Sequence, residues 1–312
     1  MSSTLPLVVG LGPVPAEAVQ SILGTHATFV DSPDADQRAQ AVGAIVRADV
    51  TLDRAALEAM PALRVIARTG VGVERVDLAE ATRRGIAVAI TPGSNTHAVA
   101  EGAMAHLLAL TKNLRPLTEL VGDGRWSERT EHTVGDLEGG VLAVLGYGRI
   151  GRRVAVLAGA FGMDVVAYDP YVDPDVRWVD TVAEAVSQAT HVSVHLPSTE
   201  ETTGIIGREI IELMSPGTIL VNLARGEVLD LDAALWGLDR DFLGGLGLDV
   251  FPTEPAEHHP VFDHPRVVLT PHVMGLSARS ARATFEMAAR AVVDILTGNP
   301  PVALANPTVK EK

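Results

Sequence analysis

Val141-Leu142-Ala143-Val144-Leu145 runs straight into Gly146-Tyr147-Gly148-Arg149-Ile150-Gly151, and residues 152–161 continue as a helical pattern. Three spaced glycines alone mean little. Between a short buried strand and a helix they acquire a geometric purpose. The first allows the tight turn, the second lets backbone approach a pyrophosphate, and the third lets helix pack closely on strand. The helix N-terminus then offers backbone N–H groups to the phosphates. About 20 residues on, the strand Asp164–Tyr168 ends in Asp169, whose carboxylate can accept from both hydroxyls of an adenine ribose and would repel a 2′-phosphate. Pro170 and Tyr171 follow, with no arginine to receive that phosphate. The pattern points to NAD rather than NADP.

Outward from this unit, short apolar runs alternate with helical patterns, the signature of parallel sheets with crossover helices. Upstream, residues 5–10, 44–47, 63–67 and 86–89 read as strands, with helices near 16–23, 54–60 and 75–84. One alanine- and leucine-rich helix is predicted over 95–114, and the polar stretch 121–138 reads as loop or short surface elements. A second alternating series runs from 141 to 269. Residues 277–298 carry Phe285, Ala288, Ala289, Val292, Val293 and Leu296 at helical spacing. The proline-bearing tail 299–312 is expected to cross back onto the first domain. The fold class is therefore α/β, with two Rossmann-like, doubly wound parallel-sheet domains. The outer, substrate-binding one is discontinuous and flavodoxin-like (1–94 plus 283–312), and the inner, NAD-binding one spans 95–282.

The chain's 312 residues exceed one average domain. A net charge of −14 argues against a nucleic-acid surface. The absence of cysteine excludes disulfides and thiolate metal sites. Met1-Ser2-Ser3-Thr4-Leu5-Pro6 lacks the basic and apolar regions of a signal peptide, and no apolar stretch approaches bilayer length. A cytoplasmic protein is expected, acting on small molecules without nucleic acid, membrane or metal.

Three downstream runs each place a reactive side chain just past an apolar stretch: Asn222-Leu223-Ala224-Arg225-Gly226, Asp249-Val250-Phe251-Pro252-Thr253-Glu254-Pro255 and Leu269-Thr270-Pro271-His272. Arginine can grip a carboxylate with two parallel hydrogen bonds that lysine cannot match, which makes Arg225 the candidate anion clamp. A histidine that protonates a carbonyl near neutral pH needs a neighbour favouring the imidazolium, and Glu254 is the candidate partner of His272. His258, His259 and His264 lie in the polar loop after Glu254 without metal-ligand spacing. His97 and His106 sit on the long helix and read as packed or capped rather than catalytic. The helix face near 100–110 reads as a homodimer interface within a 95–140 contact region.

Taken in order, these motifs resemble the D-isomer-specific 2-hydroxyacid dehydrogenase family, which includes phosphoglycerate, glycerate and D-lactate dehydrogenases. The likeness spans nearly the whole chain through VRADVTLD, RTGVGVERVD, GSNTHAVAE, GYGRIG, VHLP, NLARGEV, DVFPTEP and LTPH. It implies hydride transfer between NAD(H) and a 2-hydroxy or 2-keto acid, with His272 as acid/base, Glu254 tuning it and Arg225 gripping the substrate. It also implies that His195, Leu196, Pro197, Asn222, Leu223, Ala224 and Arg225 line the nicotinamide side and that Asp249 meets the carboxamide. Backbone amides of Thr69-Gly70-Val71-Gly72-Val73 would bind the substrate carboxylate from the outer domain. Arg47 matches a position that often serves acidic or phosphorylated substrates, so 3-phosphoglycerate is the first expected substrate. Hydroxypyruvate or glyoxylate is the alternative, and an NAD(H)-sensing corepressor-like protein is the non-enzymatic one.

Two places depart from the family pattern. The loop usually reads glycine-x-glycine-x-aspartate-asparagine-x-aspartate, whereas this chain has Glu74-Arg75 in place of aspartate-asparagine, read first as a surface ion pair, with substrate tuning as the alternative. Met274 stands where the family commonly has a small residue, and it either narrows the pocket or packs beneath the histidine.

Overall fold

The computed structural model describes residues 5–172 and 175–308. The chain forms two compact units, one made of residues up to Asn95 together with those from Ala278 onward, the other of Thr96–Ser277.

The first unit holds β1 (Leu7–Leu11), β2 (Thr28–Asp31), β3 (Gly43–Val46), β4 (Val65–Arg68) and β5 (Ala87–Ala89) in one parallel sheet of order β2-β1-β3-β4-β5. The order reverses at β1, the flavodoxin-like arrangement. β3 and β4 are buried at every position, which is why they read as unbroken apolar runs. The crossovers are α1 (Ala16–Leu23), α2 (Ala35–Gln40), α3 (Arg54–Glu58) and α4 (Leu78–Arg83). Asp34, Asp53 and Asp77 cap the last three with side-chain acceptors, each contributing about 1 kcal/mol. A helix from the far end of the sequence, Ala278–Leu296 (α11 below), packs Phe285, Ala288, Ala289, Val292 and Ile295 into one cluster with Val8, Ile45 and Val65. The tail then pairs Leu304 with Ala89, and buried Asn306 accepts from Val88 N–H at 2.8 Å and donates to the Ile86 carbonyl at 2.9 Å. The exposed edge of β5 is covered in this way.

Three local expectations are corrected here. β2 and α2 were not anticipated, because β2 is a short, partly exposed edge strand and α2 buries none of its residues. The helix predicted over 75–84 begins only at Leu78, since Val76 bridges Leu52 and Asp77 is the cap. The single helix predicted over 95–114 is two, α5 (Thr96–Thr111) and α6 (Leu114–Gly122), separated by Asn113 in the left-handed conformation (φ 51°).

The second unit carries β6 (Val141–Leu145), β7 (Asp164–Tyr168), β8 (Arg177–Trp178), β9 (His191–Val194), β10 (Thr218–Asn222), β11 (Leu243–Leu248) and β12 (Val267–Leu269). They form a parallel sheet of order β12-β11-β10-β9-β6-β7-β8, reversing at β6. Its helices are α7 (Arg149–Ala160), α8 (Val182–Ser187), α9 (Arg208–Glu212) and α10 (Leu231–Asp239), with α5 laid along the sheet. The α5 face near 100–110, expected to meet a second copy, is instead buried in the unit's own core through Ala100, Ala103, Leu107 and Leu110. Gly245 and Gly247 of β11 present no side chains there, so Leu110 and His106 rest directly on the strand. The exposed apolar residues of this region lie further on, at Leu114, Val121, Trp126 and Val134.

Candidate active site

β6 is where the strand order reverses, and in open α/β sheets ligands bind beyond the carboxyl ends at such a point. Gly146 turns there with φ 97°, its N–H donating to the Tyr168 carbonyl at 2.7 Å. A Cβ on Gly146 would lie 2.6 Å from the His195 carbonyl carbon, so the 195–196 backbone packs against the turn. A Cβ on Gly151 would lie 2.0 Å from the Gly146 carbonyl oxygen, while space above Gly148 is open. Gly148 is the N-cap of α7 and supplies no side-chain acceptor to its first N–H groups. Asp169 is anchored by Tyr147 N–H (2.8 Å) and Tyr171 N–H (2.9 Å). Open room at the middle glycine, an uncapped helix start and a fixed carboxylate at the next strand end fit a dinucleotide.

The neighbouring side chains play mainly structural parts. Tyr147 is buried and donates to Asp175 at 2.7 Å; burial first, then that bond, pushes its phenol up to about 12. Arg152 lies over its ring, and Arg149 and Ile150 open α7. His195 is pushed down to about 4 by burial, with Nε2 2.8 Å from Ser193 Oγ. Leu196 and Leu223 belong to core clusters, so those positions offer a ligand their backbone. Pro197 is exposed and Ala224 half-buried.

β10, β11 and β12 are adjacent and in register at Asn222, Leu248 and Leu269, so the three downstream runs leave the sheet from one edge. Buried Asn222 wraps the first turn, its Oδ1 accepting from Ala224 N–H at 3.0 Å and its Nδ2 donating to the Arg225 carbonyl at 2.8 Å. Half-buried Arg225 donates through Nη1 to the Ala224 carbonyl at 2.8 Å. Gly226 then touches the second run, since a Cβ on it would sit 1.9 Å from the Phe251 carbonyl carbon. In that run Glu254 accepts from Phe251 N–H through Oε1 at 3.2 Å, and its Oε2 lies 2.7 Å from His272 Nδ1. A carboxylate accepts, so Nδ1 carries the proton and Nε2 is the nitrogen left for exchange with a substrate. His272 is half-exposed and held at φ 53°. Asp249 is buried; it accepts from Thr270 Oγ1, Val273 N–H and Met274 N–H.

In the first unit, Arg68 gathers the candidate substrate residues. Its buried guanidinium donates to the carbonyls of Arg47 (2.6 Å), Ala48 (3.0 Å) and Gly72 (3.2 Å). Arg47 places its guanidinium over the Phe285 ring. Thr69 N–H donates to the Val46 carbonyl at 3.0 Å, and the Gly70 carbonyl accepts from Thr91 N–H at 3.0 Å; Val71 is exposed. Sequence reasoning placed Asn222 on the nicotinamide side but did not single out Gly226 or Arg68, although each lies inside a quoted motif. Met274 packs against the α5 cluster.

Residues 104–274 match the family model described as the D-isomer specific 2-hydroxyacid dehydrogenase NAD binding domain. The chain is 39% identical over 264 residues to D-3-phosphoglycerate dehydrogenase of Mycobacterium tuberculosis, covering 81% of this chain and 49% of that protein. It thus spans about half the length of the curated phosphoglycerate dehydrogenases it matches. Glyoxylate reductase of Thermococcus litoralis is 34% identical over 270 residues, covering 83% of this chain and 81% of that one. Among solved structures, D-lactate dehydrogenase of Aquifex aeolicus, complexed with NAD and lactic acid, superposes with a TM-score of 0.81 at 28% identity, covering 94% of this chain and 96% of that one. With the fingerprint at the switch point and the three runs on one sheet edge, this chain belongs to the D-isomer specific 2-hydroxyacid dehydrogenases, a family of NAD-dependent oxidoreductases.

Proposed function

We propose that the protein is a cytoplasmic NAD-dependent D-2-hydroxyacid dehydrogenase whose catalytic residues are Arg225, Glu254 and His272. The observation that carries this reading is the 2.7 Å His272–Glu254 pair, set on the same sheet edge as Arg225, in the sheet whose β6 runs into the glycine fingerprint. When bound, the nicotinamide supplies or takes the hydride. The chain's own residues do the rest. Arg225 holds the 2-keto acid through its carboxylate and polarises the ketone. His272 Nε2 delivers a proton to the carbonyl oxygen on reduction and removes it on oxidation. Glu254 keeps the imidazole oriented and offsets its charge. In the first unit the amides of residues 70–73 are the candidates for binding a substrate carboxylate, Thr69 N–H being held by the Val46 carbonyl, and Asp249, through the accepting capacity left on its Oδ2, meets the nicotinamide carboxamide.

For substrate we propose 3-phosphoglycerate first, on the strength of the phosphoglycerate dehydrogenase relatives and of Arg47; the glyoxylate reductase relative supports hydroxypyruvate or glyoxylate next. Arg47 and Arg75 are candidate cations for a phosphate beyond the carboxylate grip. The test is a panel of 2-keto acids assayed with NADH and NADPH in parallel. NADH-dependent reduction of 3-phosphohydroxypyruvate, impaired when Arg47 and Arg75 are both replaced, supports the assignment; full activity after both replacements rejects it. Tight NADH binding without oxidation by any keto acid would identify an NAD(H)-sensing protein instead. A homodimer through the exposed residues Leu114, Val121, Trp126 and Val134 completes the proposal, and sedimentation of a Trp126→Ser variant as a monomer would support it.

A further inference from the structure

We propose that one turn of α5, from Gly102 to His106, is the seat on which the His272 turn is set, and that His106 is a positioning residue for His272. Its kinetic consequences rest on the dehydrogenase reading; its geometry rests on the second unit alone.

A non-glycine residue at φ 53°, as His272 is, persists only where its surroundings enforce it. Asp249 enforces it from the sheet. This carboxylate, 2% exposed at the end of β11, accepts from Thr270 Oγ1 at 2.6 Å, from Val273 N–H at 2.9 Å and from Met274 N–H at 3.1 Å. The Thr270 hydroxyl is shared on its other side with His106, whose Nε2 lies 3.3 Å away. His106 is itself 2% exposed. Its Nδ1 donates to the Gly102 carbonyl one helical turn back, at 2.9 Å. A carbonyl only accepts, and so does the Thr270 hydroxyl once its proton goes to Asp249, so the two contacts together call for an N–H at each nitrogen of the ring. The ring cannot flip without losing both contacts, and β11 fixes its flank, since a Cβ on Gly247 would lie 3.0 Å from His106 Cδ2.

Gly102 completes the seat by lacking a side chain. A Cβ there would lie 2.6 Å from Met274 Cβ and 2.8 Å from Met274 Cγ. Met274 packs into the space that Gly102 leaves. The helix therefore meets the His272 turn on both flanks, by a hydrogen bond at Thr270 before it and by packing at Met274 after it. That contact matters for the chemistry because His272 Nε2 must meet a carbonyl oxygen, and misplacement by about 1 Å can lower a rate about 100-fold.

The experiment compares H106N, H106L and H106Q. Asparagine places its amide near the Nδ1 position and glutamine near Nε2, so only glutamine can restore the Thr270 contact, by donating an amide N–H to Oγ1. H106N and H106L should lower kcat about 10- to 100-fold, with NADH affinity and the keto acid KM little changed. They should also displace the His272 ring signals in the 1H–13C spectrum of the enzyme without cofactor, assigned by their loss in H272Q. H106Q should recover much of both. G102A should act like H106N by steric means, and M274G in the same chain should relieve it. Wild-type kcat and His272 signals in H106N, or an H106Q no better than H106N, would overturn the proposal. Should H106L fail to fold, H106N and the G102A/M274G pair decide it. Should the wild-type enzyme reduce no 2-keto acid, the dehydrogenase reading falls, while the His272 signals still decide the seat.

Discussion

Replacing Gly226 with alanine tests whether the Arg225 turn and the Glu254–His272 pair are one mechanical assembly. The added Cβ would lie 1.9 Å from the Phe251 carbonyl carbon, 2.3 Å from its oxygen and 2.3 Å from Pro252 N. Ordinary contact begins near 3.4 Å, so the two loops must part by roughly 1.5 Å, more than packed interiors yield without cost. Every atom met is backbone, and no side chain can swing aside. Overpacking of this kind costs about 1–3 kcal/mol, or roughly 2–12 °C in melting temperature for a unit this size. The displaced Phe251 N–H is the one that holds Glu254 Oε1, so the disturbance reaches His272 through the carboxylate. A shift near 1 Å there lowers kcat/KM about 100-fold, while the glycine fingerprint, on another strand, keeps NADH affinity close to wild type. Calorimetry, keto acid reduction and NADH fluorescence titration together give the answer. A G226A enzyme with unchanged melting temperature and turnover would refute the close approach; equal loss of NADH binding and turnover would refute the separation of cofactor site from catalytic edge.

His272→Ala should lower turnover by about 100- to 10,000-fold with NADH affinity nearly intact, and parallel loss of both in titration and rate assays would make the histidine structural. Asp169→Asn should weaken NADH binding about 10- to 100-fold, as expected for losing charge-assisted bonds, and narrow the preference over NADPH; an unchanged NADH/NADPH ratio would count against the ribose assignment. Burial pushes His191 down to about 4, against an ordinary value near 6.5. Between those values the unfolded chain binds a proton that the folded chain does not, so stability is fully present above about 6.5 and is lost as pH falls toward 4. For this buried side chain the loss is on the order of 3 kcal/mol. Denaturant unfolding across that window should show a shallower acid decline in His191→Gln, and an unaltered slope would reject the contribution.

The strands most legible in the sequence are those buried on both faces, such as β3, β4, β6 and β10, because burial writes itself as an unbroken apolar run. α2 is held by its Asp34–Gln37 capping box rather than by an apolar stripe, so periodicity has nothing to detect. The break at Asn113 was illegible for a different reason: asparagine tolerates the left-handed conformation without announcing it as glycine would. The Arg225, Glu254 and His272 positions stood out because each reactive side chain follows an apolar strand. What tightens their turns did not, since Asn222 and Gly226 act through partners chosen only by the tertiary fold. The alanine-rich face of α5 shows the same limit. Composition announced a close packing surface, and two glycines in β11 determined which surface met it.

The insertion of one unit within the sequence of the other sets an order of assembly during translation. A nascent chain that has emerged through Ser277 contains every strand of both sheets, yet lacks α11, the helix that seals Val8, Ile45 and Val65. The later-starting unit is thus complete first, while the earlier-starting one waits with an apolar face open to water. That waiting face is where a holdase would engage, and a ribosome stalled near Ser277 would leave it exposed.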